Sequence, residues 1–414
     1  MKFFTHWFKF NVLASARFFN SRLLWVFSIL CGCSQSHVGS APVKPVLSIQ
    51  GITQVRSTTD GNMRFYISLD KATTTDVTVD YAMADGTATS PKDYTNSSGT
   101  VTIPAKQNQA YIDVPFKGDP TNLRQPNLQF TVTLSNPKSC TIGTSVGTGV
   151  LVTENGTYLP TDNTGYSTPN TYAGYTLAWS DEFSGASLDL TAWNQEQGNN
   201  NGWGNSELEY YTSSTKNSFV SNGNLIIEAR KESISGFNYS SARLTTQNKK
   251  TFTYGRIDIR AKLPVVKGIW PALWMLGSNI TTVNWPKCGE IDIMELVGQS
   301  PSTVYGTMHW ADANGNAQQN NGNHQYVLSS GDFSNQFHVY SIAWKQDTIR
   351  SYVDDVLYLT TTKTDVGSTY PFNADEFFIF NVAVGGNWPG PPDTNVPFLP
   401  QRMFVDYVRV FQKQ

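Results

Sequence analysis

Apolar residues recur at every second position along most of this chain, and no helical spacing of three or four persists over a useful length. Such alternation puts one face of an extended segment in a core and the other in solvent. Val77, Val79 and Tyr81 form one such face, Ile112, Val114 and Phe116 a second, and Leu128, Phe130, Val132 and Leu134 a third. Asp60-Gly61 and Asp85-Gly86 supply turns between runs. Short alternating strands at this spacing predict a β-sandwich over 46–154. Further runs alternate in the second half: Phe337 to Trp344, Ile349 to Tyr358, Phe377 to Val384 and Met403 to Val410. They predict two antiparallel sheets over 173–414, so the 414 residues divide into two all-β modules. Between them 155–172 is rich in Thr, Asn, Pro, Gly and Tyr without periodicity, and reads as a linker.

One run breaks the alternation. In Gly289 to Gly298, GEIDIMELVG, Glu290 and Asp292 share a face, and strict alternation would turn Glu295 to the other. A β-bulge around Ile293–Met294 restores the parity and brings Glu295 back beside the other two acids. Ile291, Ile293 and Leu296 then pack on the opposite side. Three carboxylates on one face repel and lose hydration, so their proton affinities must be pushed apart. A carboxylate ionised to attack beside one protonated to donate is what glycosidic cleavage requires.

The N-terminus carries Lys2, Lys9, Arg17 and Arg22 without an acid, then an apolar run from Leu23 to Leu30 too short to span a bilayer. That is a secretory signal. Its end, Leu30-Cys31-Gly32-Cys33, resembles a bacterial lipoprotein box. We therefore expect 1–33 to be a signal with Cys33 lipidated, and 34–45 a tether. The expectation is an exported protein anchored at an outer membrane or cell surface, or otherwise secreted. The remaining cysteines, Cys140 and Cys288, fall one to each module, so no disulfide forms within a module. Cys288 shares the parity of Glu290 but has no nearby His, Asn or Asp to activate it, and reads as a packed thiol. A net charge of −2 leaves no basic footprint for nucleic acid.

The segment WPKCGEIDIMELVG resembles the active-site strand of glycoside hydrolase family 16, in its laminarinase-like branch. From about Tyr175 to Gln412 the likeness extends through WSDEF, WGNSELEYYT, SARLTT, FTYGRIDIRAKLP, GIWPALWMLG, GTMHW, AVGGNWPG and VDYVRV. It implies a concanavalin-like β-jelly roll, with Glu290 as nucleophile, Asp292 as assisting carboxylate and Glu295 as general acid/base. VDYAMADGTATSPKDYTNSSGTVTIPA resembles a Calx-β domain. It lacks a dense acidic cluster for calcium and any Trp for sugar stacking, so we read it as a spacer or docking module. No cofactor is expected for the chemistry. The family often carries a structural calcium, for which Asp406 with carbonyls near Glu182 and Gly223 is the candidate site.

All nine Trp residues beyond the signal fall in the second module. Trp270, Trp274, Trp285 and Trp388 are the candidates for stacking on sugar rings, with Trp344 in the core. Asn205 lies on a cleft loop with Trp203 and Glu207. His309 belongs to the cleft, His324 to the surface and His338 to the core. Arg260 is a candidate to orient a carboxylate or a sugar hydroxyl; for it, as for Arg243 and Arg256, a surface cation is the competing reading. The resulting expectation is a monomeric, retaining endo-β-1,3-glucanase. The alternatives are another family 16 specificity (mixed-linkage β-glucanase or agarase), a catalytically inactive carbohydrate-binding surface protein, or an adhesin built on the first module.

Overall fold

The computed structural model describes residues 43–120, 124–153, 161–320, 324–396 and 398–413. The signal, the candidate lipidation site Cys33 and nearly all of the tether lie outside these residues.

The first module is a sandwich of a four-stranded and a five-stranded sheet. Its strands alternate as the sequence demands: in Gly61–Leu69, Met63, Phe65, Ile67 and Leu69 are buried while Asn62, Arg64 and Tyr66 face outward. Tyr94 stacks on Phe130 at 4.1 Å between centroids and donates to Asp85, so its polar end is satisfied inside the core.

The second module packs two eight-stranded sheets face to face. The cleft sheet runs in the order Asn194–Glu196, Arg243–Thr245, Glu376–Val384, Ile269–Gly277, Glu290–Glu295, Thr303–Ala311, Ala317–Gln319. The back sheet is built around Gln401–Lys413, which pairs with Asn224–Ala229 and Tyr175–Asp181 along one side and with Gly255–Lys262 along the other. Leu273, Met275, Ile291, Met308, Phe378 and Phe380 of the cleft sheet meet Ile257, Ile259, Ile342, Val408 and Val410 of the back sheet in one core. The only described helices are single turns, Ile280–Val283 and Lys363–Val366.

Two expectations are corrected. Phe377 to Val384 was expected to alternate apolar and polar residues between a core face and a solvated one, but every residue of the strand Glu376–Val384 is buried. It is the middle of the cleft sheet, with the core on one side and cleft residues and loops on the other. The expected linker also ends early: from residue 161 the chain is a strap bound to the back sheet. Gly165 bridges Phe337, the Thr168 amide donates to the Tyr407 hydroxyl, and the Tyr172 hydroxyl donates to Asp258. Irregular backbone of this kind has no periodicity to read, because side chains and carbonyls from distant strands satisfy it.

Candidate active site

Glu290–Glu295 lies between Ile269–Gly277 and Thr303–Ala311, so its register against both defines the site. Trp274 pairs with Asp292 but Leu273 pairs with Met294, which leaves Ile293 extra. On the other side Asp292 pairs with Thr307 and Glu295 with Tyr305, so two residues oppose Gly306 alone. This is the expected bulge. It buries Ile293 and Met294 together, and Glu290, Asp292 and Glu295 all line the same cleft. Gly289 enters the strand at φ +83, and a Cβ there would lie 2.9 Å from Pro371, so glycine is required at this point.

The cleft has a volume of about 930 Å³ and takes alternate residues of four neighbouring strands: Asn381 and Ala383, then Trp270, Ala272 and Trp274, then the acids, then Tyr305, Thr307 and His309. Trp285 Nε1 donates to Glu290 Oε2 at 2.8 Å, and Trp270 Nε1 donates to Glu295 Oε1 at 3.0 Å. His309 Nε2 lies 3.2 Å from Asp292 Oδ2 and 3.8 Å from Glu290 Oε1. Burial, and then the charge of Asp292, push the Glu290 carboxyl up to about 8. The same two causes hold Glu295 well above the usual carboxylate range. Asp292 is raised by burial alone. The three acids therefore carry fewer than three charges at neutral pH. Each glutamate has an indole donor and feels His309, but Glu295 is raised by the charge of Glu290 as well as that of Asp292, so of the two Glu295 is the one disposed to keep its proton.

All four candidate tryptophans line the cleft, as do Asn205 and His309. Trp274 Nε1 donates to Asn381 Oδ1; Asn381 Nδ2 donates to the Tyr211 hydroxyl, which donates to Glu207. Trp388 meets Trp270 and Tyr305 edge-on at 5.5 and 4.9 Å. Trp344 and His338 are in the core as expected. The Cys288 thiol is packed with Leu276, Phe377 and Ile379, and burial with Glu376 and Glu290 pushes it up to about 12, where it is inert.

Arg260 does not reach the cleft. It belongs to the back sheet, where it donates to Asp406 and to the strap carbonyls of Asn163 and Tyr166. The cleft guanidinium is Arg243, held between the rings of Trp203 and Trp274 at 4.6 and 4.7 Å and paired with Glu196. His324, expected at the surface, lines the cleft wall beside Tyr305. Tyr305 and Thr307 were missed although both share the parity of His309. Asn381 likewise shares a face with Ala383. His324 sits outside any strand, so no periodic signal marked it.

Val405 pairs with Leu225 and Val408 with Asp181, leaving Asp406 at a gap in one edge where Gly223 and Glu182 approach. Glu182 gives both carboxylate oxygens to Arg409, and Asp406 gives Oδ2 to Arg260. The donors left there for a calcium ion would be backbone carbonyls and the other Asp406 oxygen, hard oxygens of the kind that ion takes.

Residues 205–408 match the model of glycosyl hydrolases family 16, and residues 44–156 match that of the Calx-beta domain. A beta-glucanase of Rhodothermus marinus is 43% identical over 57% of this chain and 85% of its own length. A glucan endo-1,3-beta-glucosidase A1 of Niallia circulans is 40% identical over 60% of this chain, which spans only 40% of that protein. The solved catalytic domain of a Thermotoga petrophila endo-1,3-beta-glucanase (laminarinase) superposes with a TM-score of 0.54. It is 48% identical, and the match covers 58% of this chain and 98% of that one.

Proposed function

The chain belongs to glycosyl hydrolases family 16, and from that premise we propose that it is an endo-β-1,3-glucanase of the laminarinase type acting with retention. The observation that carries this reading is the bulged strand, which sets Glu290 and Glu295 on one face of a cleft lined by tryptophans. Glu290 attacks the anomeric carbon while Glu295 protonates the leaving oxygen; Glu295 then deprotonates the water that releases the glycosyl-enzyme. Asp292 between them shares charge with Glu290 as each changes state. Trp270, Trp285 and Trp388 offer flat faces to pyranose C–H groups. Relatives named for β-1,3-glucan cleavage support this substrate over agarose. One relative, 34% identical, is named for keratan sulfate, a sulfated chain. The acids and neutral aromatics of this cleft, with Arg243 as its one guanidinium among the described lining residues, favour a neutral glucan.

Product analysis of the purified protein tests the reading. Laminarin should give short oligosaccharides, mixed-linkage glucan should be cut more slowly, and cellulose should stay intact. Release from agarose with laminarin untouched would overturn the substrate while leaving the acids in place.

We also propose that the protein is exported and held at a membrane by a lipid on Cys33, with the Calx-β module as a spacer; Cys33→Ser should move it to the soluble fraction. A calcium ion at Asp406 would join the Asn224–Ala229 and Tyr175–Asp181 edges, and a chelator should then lower Tm without altering the chemistry.

A further inference from the structure

Asp292 is 2% exposed, and its Oδ2 has no hydrogen-bond partner. A buried carboxylate oxygen without a donor is costly, and this one is not rescued by the imidazole 3.2 Å away, whose alignment does not make a hydrogen bond. Glu290 Oε1 lies 3.8 Å from the same imidazole nitrogen. One ligand atom from each of Glu290, Asp292 and His309 lies within 4.8 Å of the others. Two donors on a tetrahedral zinc ion at about 2.1 Å are about 3.4 Å apart, so the two distances to His309 bracket what such an ion needs.

We propose that Glu290, Asp292 and His309 form a binding site for a divalent transition-metal ion of the zinc or cobalt class, which inhibits the enzyme by occupying the nucleophile. The donor set, one imidazole nitrogen and two carboxylate oxygens, suits borderline ions better than calcium or magnesium, which favour oxygen alone. The ion would replace mutual carboxylate repulsion by attraction and satisfy the orphaned Asp292 oxygen. Its remaining position would open to the cleft, into which Glu290 is partly exposed. Bound there, it removes the electron pair with which Glu290 attacks, so inhibition is competitive with glucan. The inhibitory consequence rests on the hydrolase reading; the binding does not.

Cobalt(II) titrated into the full chain should give a visible d–d absorption band saturating at one equivalent, and zinc(II) should displace it. His309→Gln and Asp292→Asn, each checked as folded by near-UV circular dichroism, should weaken cobalt binding by about tenfold or more, as each removes one of three ligands. No band up to millimolar cobalt, or unchanged affinity in either folded variant, overturns the site. In the wild type, zinc should raise KM for laminarin without changing kcat. Binding of cobalt with no loss of activity on a glucan the enzyme does cleave overturns the inhibitory role. Absence of any glucan cleavage instead counts against the catalytic reading.

Discussion

In the back sheet Glu228 is fully buried and accepts from Arg230 and Arg402, and Asp258, equally buried, accepts from Arg256 and Tyr172. In the cleft sheet Glu290, Asp292, Glu295 and Glu376 form no ion pair with Lys or Arg among the described residues, and both oxygens of Glu376 lack a partner. One sheet matches each buried anion with a guanidinium, across strands where Glu228 stands opposite Arg402 and along one strand where Arg256 precedes Asp258 by two. The other gives its guanidinium, Arg243, to Glu196 and leaves these four acids without one, and burial raises them. A carboxylate whose oxygens are taken up by guanidinium donors is committed to those bonds, whereas an unpaired acid raised by burial can exchange a proton near neutrality. The difference separates a part of the molecule that holds shape from a part that does chemistry.

Removing the unpaired acids should destroy activity and spare the fold. Glu295→Ala should lose on the order of 10²–10⁴-fold in kcat, the usual contribution of general acid/base catalysis. Glu290→Ala should lose at least as much, and azide should restore turnover in it with inverted product. Deleting Met294 should match Glu295→Ala, because the slip turns that carboxylate into the core. Near wild-type turnover in any of the three would erase the functional side of the contrast.

Glu228→Gln should do the opposite, costing about 3 kcal/mol of stability by leaving buried guanidinium groups short of an anion while kcat/KM holds. Denaturant unfolding beside a laminarin assay checks both halves. A stable variant would mean that the back-sheet pairs are not what secures that sheet.

The sharpest comparison is Glu290→Gln, which should stabilise. Burial raises the proton affinity of Glu290 from the ordinary value of 4.5 to about 8, so the charge it must carry to attack is held in the fold at a cost. Ionisation therefore costs the fold nothing below the ordinary value, and the cost grows as pH rises and levels off above the raised one. We expect the variant to unfold later than wild type at pH 8.5 by roughly 1–2 kcal/mol, with no gain at pH 4. Equal stabilities at both pH values would remove the electrostatic argument. The smallest expected effect is Trp285→Ala, which loses a stacking face and the donor to Glu290 and should weaken kcat/KM on long chains by roughly 1 kcal/mol.

The all-β class, the two modules and the acid strand with its bulge were legible in the chain, because a period of two is a local property and three acids within six positions permit few readings. The placement of Trp270, Trp274, Trp285 and Trp388 in the cleft was also legible, from strand parity for the first two and from the family motifs for the others. Arg243 and Arg260 sit on similar-looking strands, yet one is stacked in the cleft and the other clamps the strap behind it. Alternation says that a residue faces one side or the other of a sheet; it does not say which sheet the strand joins. That choice belongs to pairings such as Arg243 opposite Asn381, 138 positions along the chain, and Arg260 opposite Tyr407. The donors that tune the acids are equally non-local in part: Trp285 is five residues from Glu290, but Trp270 reaches Glu295 across 25. The carboxylates themselves were written in the sequence. Their proton affinities were not, because burial and the partners present or absent around each acid exist only once the two sheets have closed on each other.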